Sequence, residues 1–272
     1  MTSSPIGPAF AASTPRFVDS AHAWWHHRGQ RRWVPGVMLM VWVVAVVPTH
    51  ADPPGDAAMH PMLRPLRDEL LQTWPGNRTI RLVFHGHSVP AGYFDTPTIR
   101  RYDSYPVLFH QRMCERFPNA PIDLAITAIG GEHSEAGAAR FEKDVLSLRP
   151  DVVFIDYAIN DRGIGPERSR AAWTTMIQAC RSARIPVVLL TATPIQNESV
   201  TDHEGKLYQQ CEQIRDLATE WEIPLVDGYA EFERLVGEGH LVTDFLSHPV
   251  HPNRRGHGEV ADELLRLFPK DL

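Results

Sequence analysis

The sequence predicts an α/β protein, a doubly wound, five-stranded parallel sheet between two layers of helices, that is, a three-layer α/β/α sandwich. Three observations carry this expectation. From residue 62 onward, short β-branched runs alternate with longer amphipathic ones. Runs such as Val152-Val153-Phe154-Ile155 are apolar without alternation, which a parallel strand covered on both faces requires. The chain has 272 residues, 43% of them hydrophobic and 22% charged, so it can bury a sizeable core without metal or disulfide staples.

Taken in order, the first fifty residues read as an address. Residues 1–32 are poor in acids and contain Arg28, Arg31 and Arg32, and Val34 to Val47 is almost uninterruptedly apolar. That run is shorter than the ~20 residues a membrane-crossing helix needs. Thr49-His50-Ala51 offers small residues to a signal peptidase, so residues 1–51 are expected to be a signal peptide cleaved after Ala51. Cleavage makes the protein secreted or periplasmic; an uncleaved N-terminal anchor, which would leave it membrane-anchored, is the alternative. Residues 52–61 are Pro-rich and aperiodic and read as a linker, followed by a single domain over 62–272.

Within that domain Thr79–His85, Pro121–Thr127, Asp151–Tyr157, Pro186–Thr191 and Ile223–Asp227 are the expected strands. Expected helices are Met62–Thr73, Ser104–Phe117, Ala136–Leu148, Glu167–Ala183, His203–Trp221, Glu231–Glu238 and Gly256–Phe268. Right-handed crossovers then put helices on both faces, and a ligand is expected at the carboxyl ends of the strands near a switch point. The formal charge of −6 argues against a nucleic-acid partner, because phosphates are held by clustered Lys and Arg. Removing residues 1–51 takes away four basic residues and one acidic one, which leaves the chain more acidic still. Cys114, Cys180 and Cys211 are too few for a disulfide scaffold and sit in helix-like stretches, as buried filler does.

Polar residues collect where the strands end. His85-Gly86-His87-Ser88 follows the first strand, Ile129-Gly130-Gly131-Glu132-His133-Ser134 the second and Ala158-Ile159-Asn160-Asp161 the third. His248-Pro249-Val250-His251-Pro252-Asn253 precedes the last helix. Acyl transfer uses such a set: a hydroxyl attacks a carbonyl, an imidazole takes its proton, and amide hydrogens hold the oxyanion. Ser88 and His251 are the candidate nucleophile and base. Gly131, Asn160 and the backbone N–H of Ser88 are the candidate oxyanion donors.

The order and spacing of these blocks resemble the SGNH hydrolases, also called the GDSL esterase and lipase family, over most of residues 79–268. The resemblance implies a flavodoxin-like sheet of order 2-1-3-4-5, a carboxylic ester hydrolase acting through an acyl-enzyme, and no cofactor. It implies a small-molecule or carbohydrate ester as substrate and no stable protein partner. It assigns the oxyanion glycine to Gly131, with Gly130 as the alternative. Two blocks depart from the family pattern. Gly86-His87-Ser88 replaces Gly-Asp-Ser, and the position three before His251 is His248 where the family has aspartate. The group that orients His251 Nδ1 is therefore either Asp244, as a catalytic acid from the same loop, or the backbone carbonyl of His248.

Blander readings apply to each residue alone. A serine after a strand is usually a helix cap, Asn160 could cap a turn, and Gly130-Gly131 could serve a tight one. Asp161 is expected to support its loop. His87, Tyr93 and His248 are the expected pocket-lining residues, and Tyr93 with Phe94 could equally pack beneath their loop. His85, His87, His248, His251 and His257 could cluster, but the spacing lacks a zinc motif, so no metal is expected. A catalytically inactive glycan or acyl binder and a metal-dependent hydrolase are the competing functions.

Overall fold

In a computed structural model of the protein, residues 59–270 are described. The expected signal peptide 1–51 and residues 52–58 of the expected linker lie outside them. Within the described part of that linker Met59 is buried, and Pro61–Leu63 forms a 3₁₀ turn leading into helix α1 (Arg64–Leu70).

Five parallel strands form the sheet: β1 (Ile80–Gly86), β2 (Ile122–Ile126), β3 (Val152–Asp156), β4 (Val187–Leu190) and β5 (Leu225–Val226). Their order is β2-β1-β3-β4-β5, as the resemblance implied. The chain leaves β1 toward β2 on one side and returns to β3 on the other. The switch point thus lies between β1 and β3. β5 is shorter than its apolar run because it is an edge strand that begins after Pro224, whose carbonyl still accepts from Leu189 N–H at 3.0 Å.

Helices α3 (Tyr105–Arg116) and α9 (Arg254–Arg266) pack together on one face. Helices α4 (Ser134–Asp144), α6 (Pro166–Ala183) and α7 (Lys206–Trp221) pack in succession on the other, and α8 (Gly228–Gly237) lies against α9. Caps explain where several begin. The side chain of Asp227 accepts from Ala230 N–H at 3.2 Å and that of Asn253 from Gly256 N–H at 3.1 Å, so α8 and α9 start before their apolar periodicity does. The expected Ala136–Leu148 helix breaks into α4 and a 3₁₀ turn, Leu146–Leu148, which ends on Arg149 at φ 52°. Cys180 and Cys211 are buried, and all three cysteines are free.

Four elements had no periodic signal. α2 (Ser88–Ala91) and α5 (Ala158–Asp161) are single turns placed directly after β1 and β3. Strands β6 (Leu246–His248) and β7 (His251–Pro252) form a small antiparallel hairpin with a bulge. All are too short for a repeat of 3.6 or 2 to show.

The core beneath the first turn is aromatic. Phe84 of β1 stacks on Phe154 of β3 at 4.3 Å between centroids, and Phe109 of α3 meets both edge-on. This rigid pair brings the strand ends close. A Cβ on Gly86 would sit 2.4 Å from the carbonyl oxygen of Asp156 and 2.8 Å from Cγ of Pro90, so only glycine lets β1 pass β3 here. Gly86→Ala is expected to lose about 1–3 kcal/mol of stability by overpacking, seen as a lower Tm in calorimetry. An unchanged Tm would show that the strand ends yield freely.

Candidate active site

Ser88 opens α2, two residues past the end of β1. The His87 Nδ1 caps this turn by accepting from Val89 N–H at 3.3 Å. Gly92, at φ 87°, ends it, returning its N–H toward the carbonyls of Ser88 and Val89. Ser88 is left 8% exposed.

His251 arrives from the β6–β7 hairpin, and its Nε2 lies 3.0 Å from Ser88 Oγ. The hairpin is tied down on several sides. Ser247 Oγ lies 3.1 Å from the Phe94 carbonyl and 3.0 Å from that of Pro252. Pro249 accepts from Gln196 N–H at 2.8 Å, and Asn253 Nδ2 donates to the Asp244 carbonyl at 2.9 Å. Burial, followed by the adjacent His248, lowers the His251 pKa to about 4. The Phe94 carbonyl acts in the opposite sense.

Neither expected partner orients this imidazole. His251 Nδ1 is buried and makes no well-aligned hydrogen bond among the described residues; the acceptor that acts on the ring is the backbone carbonyl of Phe94, which favours its protonated form. Asp244 is exposed, and its carboxylate accepts from Leu241 N–H at 3.1 Å, capping the 3₁₀ turn Val242–Phe245. A carboxylate engaged there does not reach His251, and the His248 carbonyl does not take the Nδ1 proton either. The His248 ring instead stacks on His251 at 4.7 Å between centroids and 25° between planes, with its Nδ1 accepting from Val250 N–H at 3.4 Å.

The opposite wall is the loop after β2. Ile129 N–H donates to the Gly86 carbonyl at 3.0 Å, holding this loop to the end of β1. Gly131 has φ 78°, a left-handed conformation that glycine adopts without strain, and its N–H enters no backbone hydrogen bond among the described residues. Gly130 serves a different need, since a Cβ there would fall 2.7 Å from the Tyr93 ring. Tyr93 therefore stands between this loop and His251, 5.8 Å from the imidazole, as a wall residue should.

Asn160, in α5, donates from Nδ2 to the Glu132 carbonyl at 2.8 Å, which uses one of its two amide hydrogens and sets the direction of the other. Glu132 is anchored in turn. Its carboxylate takes Arg140 Nε at 2.8 Å and the Tyr157 hydroxyl at 2.8 Å. Burial would raise its pKa, but these donors outweigh it and the net shift is downward. Asp161 is fully buried and accepts from Ser134 N–H at 2.8 Å and from Trp173 Nε1 at 2.7 Å, pinning α5 to the start of α4 and to Trp173 within α6.

His87 does not line the pocket. It is fully buried beneath Ser88, so no substrate can touch it. Its Nε2 faces Asp156 Oδ1 at 3.2 Å, and Asp156 Oδ2 accepts from the Tyr105 hydroxyl at 2.9 Å. Asp156 and Tyr105 were missed in the sequence. The one available signal was an aspartate closing the otherwise apolar run Val152–Ile155.

The remaining histidines have separate tasks. His85 takes Thr127 Oγ1 at 2.8 Å and faces the Tyr157 hydroxyl at 3.0 Å, while His257 accepts from Tyr105 N–H at 3.2 Å. Among the described residues no group of three or more His, Cys, Asp or Glu is placed to hold a metal ion.

Comparison with known proteins gives the following. The model of the GDSL-like lipase/acylhydrolase family matches residues 84–258. The uncharacterized lipoprotein YqeF of Bacillus subtilis (strain 168) is 26% identical over 149 residues, which are 45% of this chain and 60% of that protein. The match therefore spans well under two thirds of that relative. Among solved structures, the acetylxylan esterase Axe2 of Geobacillus stearothermophilus has a TM-score of 0.62 at 19% identity, covering 73% of this chain and 95% of that one. A two-domain esterase active on acetylated mannans has a TM-score of 0.62 at 20% identity, covering 76% and 52%. At these identities the likeness is one of fold.

Three of the imidazoles are buried in the neutral form. Burial lowers the pKa of His85 and His251 to about 4 and that of His257 to about 3. In the unfolded chain each protonates near its ordinary value of about 6.5. Between those limits the unfolded state binds more protons, so stability falls as pH is lowered, by up to about 1.4 kcal/mol per pH unit for each histidine. Tm is expected to drop steadily from pH 7 to pH 4.5. A Tm that holds level over that range would contradict the burial of neutral rings.

Proposed function

Because the chain belongs to the GDSL-like lipase/acylhydrolase family, we propose that it is a serine esterase that cleaves carboxylic esters through an acyl-enzyme. The observation carrying this reading is the 3.0 Å approach of His251 Nε2 to Ser88 Oγ, made by residues far apart in the chain. With Nε2 accepting, the His251 proton resides on Nδ1. Ser88 Oγ attacks the ester carbonyl while its proton passes to Nε2. The oxyanion is met by the N–H groups of Ser88 and Gly131 and by the free hydrogen of Asn160 Nδ2. His251 then returns the proton to the departing alcohol, and a water deprotonated by the same nitrogen releases the acid.

The proposed substrates are acetyl esters of carbohydrates. Support comes from two structural neighbours that act on acetylated xylan and acetylated mannans, and from the aromatic Tyr93 beside His251. Export through residues 1–51 is part of the same proposal, and the lipoprotein relative supports it. One observation favours a second reading, a glycan or acyl binder without turnover: no carboxylate bonds to His251 Nδ1, and the acceptor acting on the ring is the Phe94 backbone carbonyl.

Hydrolysis of p-nitrophenyl acetate and release of acetate from acetylated xylo-oligosaccharides test both readings. Ser88→Ala is expected to abolish turnover, and Asn160→Ala to lower kcat about 100–1,000-fold. Turnover surviving Ser88→Ala, or lost on adding a chelator, would overturn the serine mechanism. Ligand retention with no ester cleaved would establish the binder. Since the His251 pKa is held at about 4, kcat/KM is expected to keep its value down to pH 5 and to fall near pH 4. An acid limb near pH 6.5 would show instead an ordinary, solvated imidazole as the base.

A further inference from the structure

Ser88 lies between two imidazoles, and the buried carboxylate of this site stands behind the one that the esterase reading does not use. Asp156 is 4% exposed, and among the described residues no Lys or Arg pairs with it. Its partners are the Tyr105 hydroxyl at 2.9 Å and His87 Nε2 at 3.2 Å, the latter a bent contact and not a linear hydrogen bond. A carboxylate buried without a cation is costly to folding, which marks it as a residue with a task beyond packing. On the far side of the same ring, His87 Nδ1 accepts from Val89 N–H and lies 3.5 Å from Ser88 Oγ. An accepting Nδ1 carries no proton, so the ring proton is on Nε2, where Asp156 is the group that faces it.

We propose that Asp156 is the positioning carboxylate of this active site and acts on Ser88 through His87, in place of an acid on His251 Nδ1. The proposal rests on the reading of Ser88 as nucleophile. Held as the Nε2–H tautomer, His87 keeps a lone pair toward both Val89 N–H and Ser88 Oγ. The first contact fixes the single turn that presents the Ser88 hydroxyl and its backbone N–H. The second leaves the hydroxyl with acceptors on two sides, His87 Nδ1 and His251 Nε2, and no donor from either ring. Its proton is therefore directed to an imidazole in either orientation, and an oxygen lone pair remains for attack. On attack the Ser88 O–H bond breaks and the proton goes to His251 Nε2, while His87 and Asp156 exchange none. The negative charge of Asp156 stays on the opposite side of Oγ and favours the imidazolium forming on His251.

The assay is steady-state hydrolysis of p-nitrophenyl acetate by the full-length protein, with active sites counted from the p-nitrophenol burst. Asp156→Asn is expected to lower kcat per active site about 100-fold with KM little changed. His87→Asn retains an oxygen able to cap Val89 N–H but lacks the atom that meets Asp156, so it is expected to lose a similar factor. The double variant should be no slower than either single one, because one line of contacts is cut once. Wild-type kcat in either single variant, or losses that multiply in the double variant, would overturn the proposal. Should Asp156→Asn fail to fold, nitrogen NMR of the native ring decides: a proton on His87 Nδ1 refutes the proposal, and a proton on Nε2 with Nδ1 bare supports it. Ser88→Ala in the same assay separates the two levels. If that variant still turns over, the esterase reading itself fails. If it is dead while Asp156→Asn and His87→Asn run at wild-type rate, only the role of Asp156 and His87 falls.

Discussion

The close passage of β1 against β3 is the constraint on which the rest of this site depends. Phe84 stacked on Phe154 holds the two strands together from below, and Gly86 lets their ends meet where a methyl group would strike the Asp156 carbonyl. Because β1 and β3 flank the switch point, the turns that leave them, α2 and α5, rise side by side. One carries Ser88 and the other Asn160. The groups proposed to attack a carbonyl and to receive its negative charge are thus positioned by the sheet itself, and rigid elements hold such geometry better than loops do.

Around that centre each buried carboxylate has a defined occupation. Glu132 bridges Arg140 and Tyr157 and thereby holds the glycine loop, while Asp161 ties the end of α5 to the start of α4 and to Trp173 of α6. Asp156 stands under His87. None approaches His251, whose neighbours are the rings of His248 and Tyr93. Burial beside a second imidazole disfavours charge on His251 at rest, which keeps it an available proton acceptor over a wide pH range. What favours the charged ring is the Phe94 carbonyl and, more weakly, the exposed Asp95, and no buried carboxylate bonds to it.

Much of this was readable beforehand, and the failures have physical causes. The inner strands β3 and β4 were visible because a parallel strand covered on both faces is apolar almost throughout, the others as short β-branched runs, and the longer helices because one stripe of each faces the sheet. Their edges moved where caps at Asp227 and Asn253 or the proline before β5 overrode periodicity. The single turns bearing Ser88 and Asn160 were too short to show a period, yet their motifs marked the residues. Asp244 was misplaced as a partner of His251 because nearness in sequence says nothing of direction, and its carboxylate turns back to its own 3₁₀ turn. The sequence points to His87 as a pocket wall because its neighbour is the candidate nucleophile, and its burial comes from α2 folding over it.

The amino-acid sequence alone determined the layered α/β architecture, the family resemblance and the four loops that carry polar chemistry, since these follow from local periodicity and short motifs. Tertiary structure alone decided which acid meets which imidazole. Asp156, from a strand with no motif of its own, meets His87 on one side and Tyr105 on the other, while His248, at the sequence position where the family has aspartate, stacks its ring on His251. Such pairings depend on contacts of about 3 Å between distant segments, and a linear pattern of residue types does not encode distances of that kind.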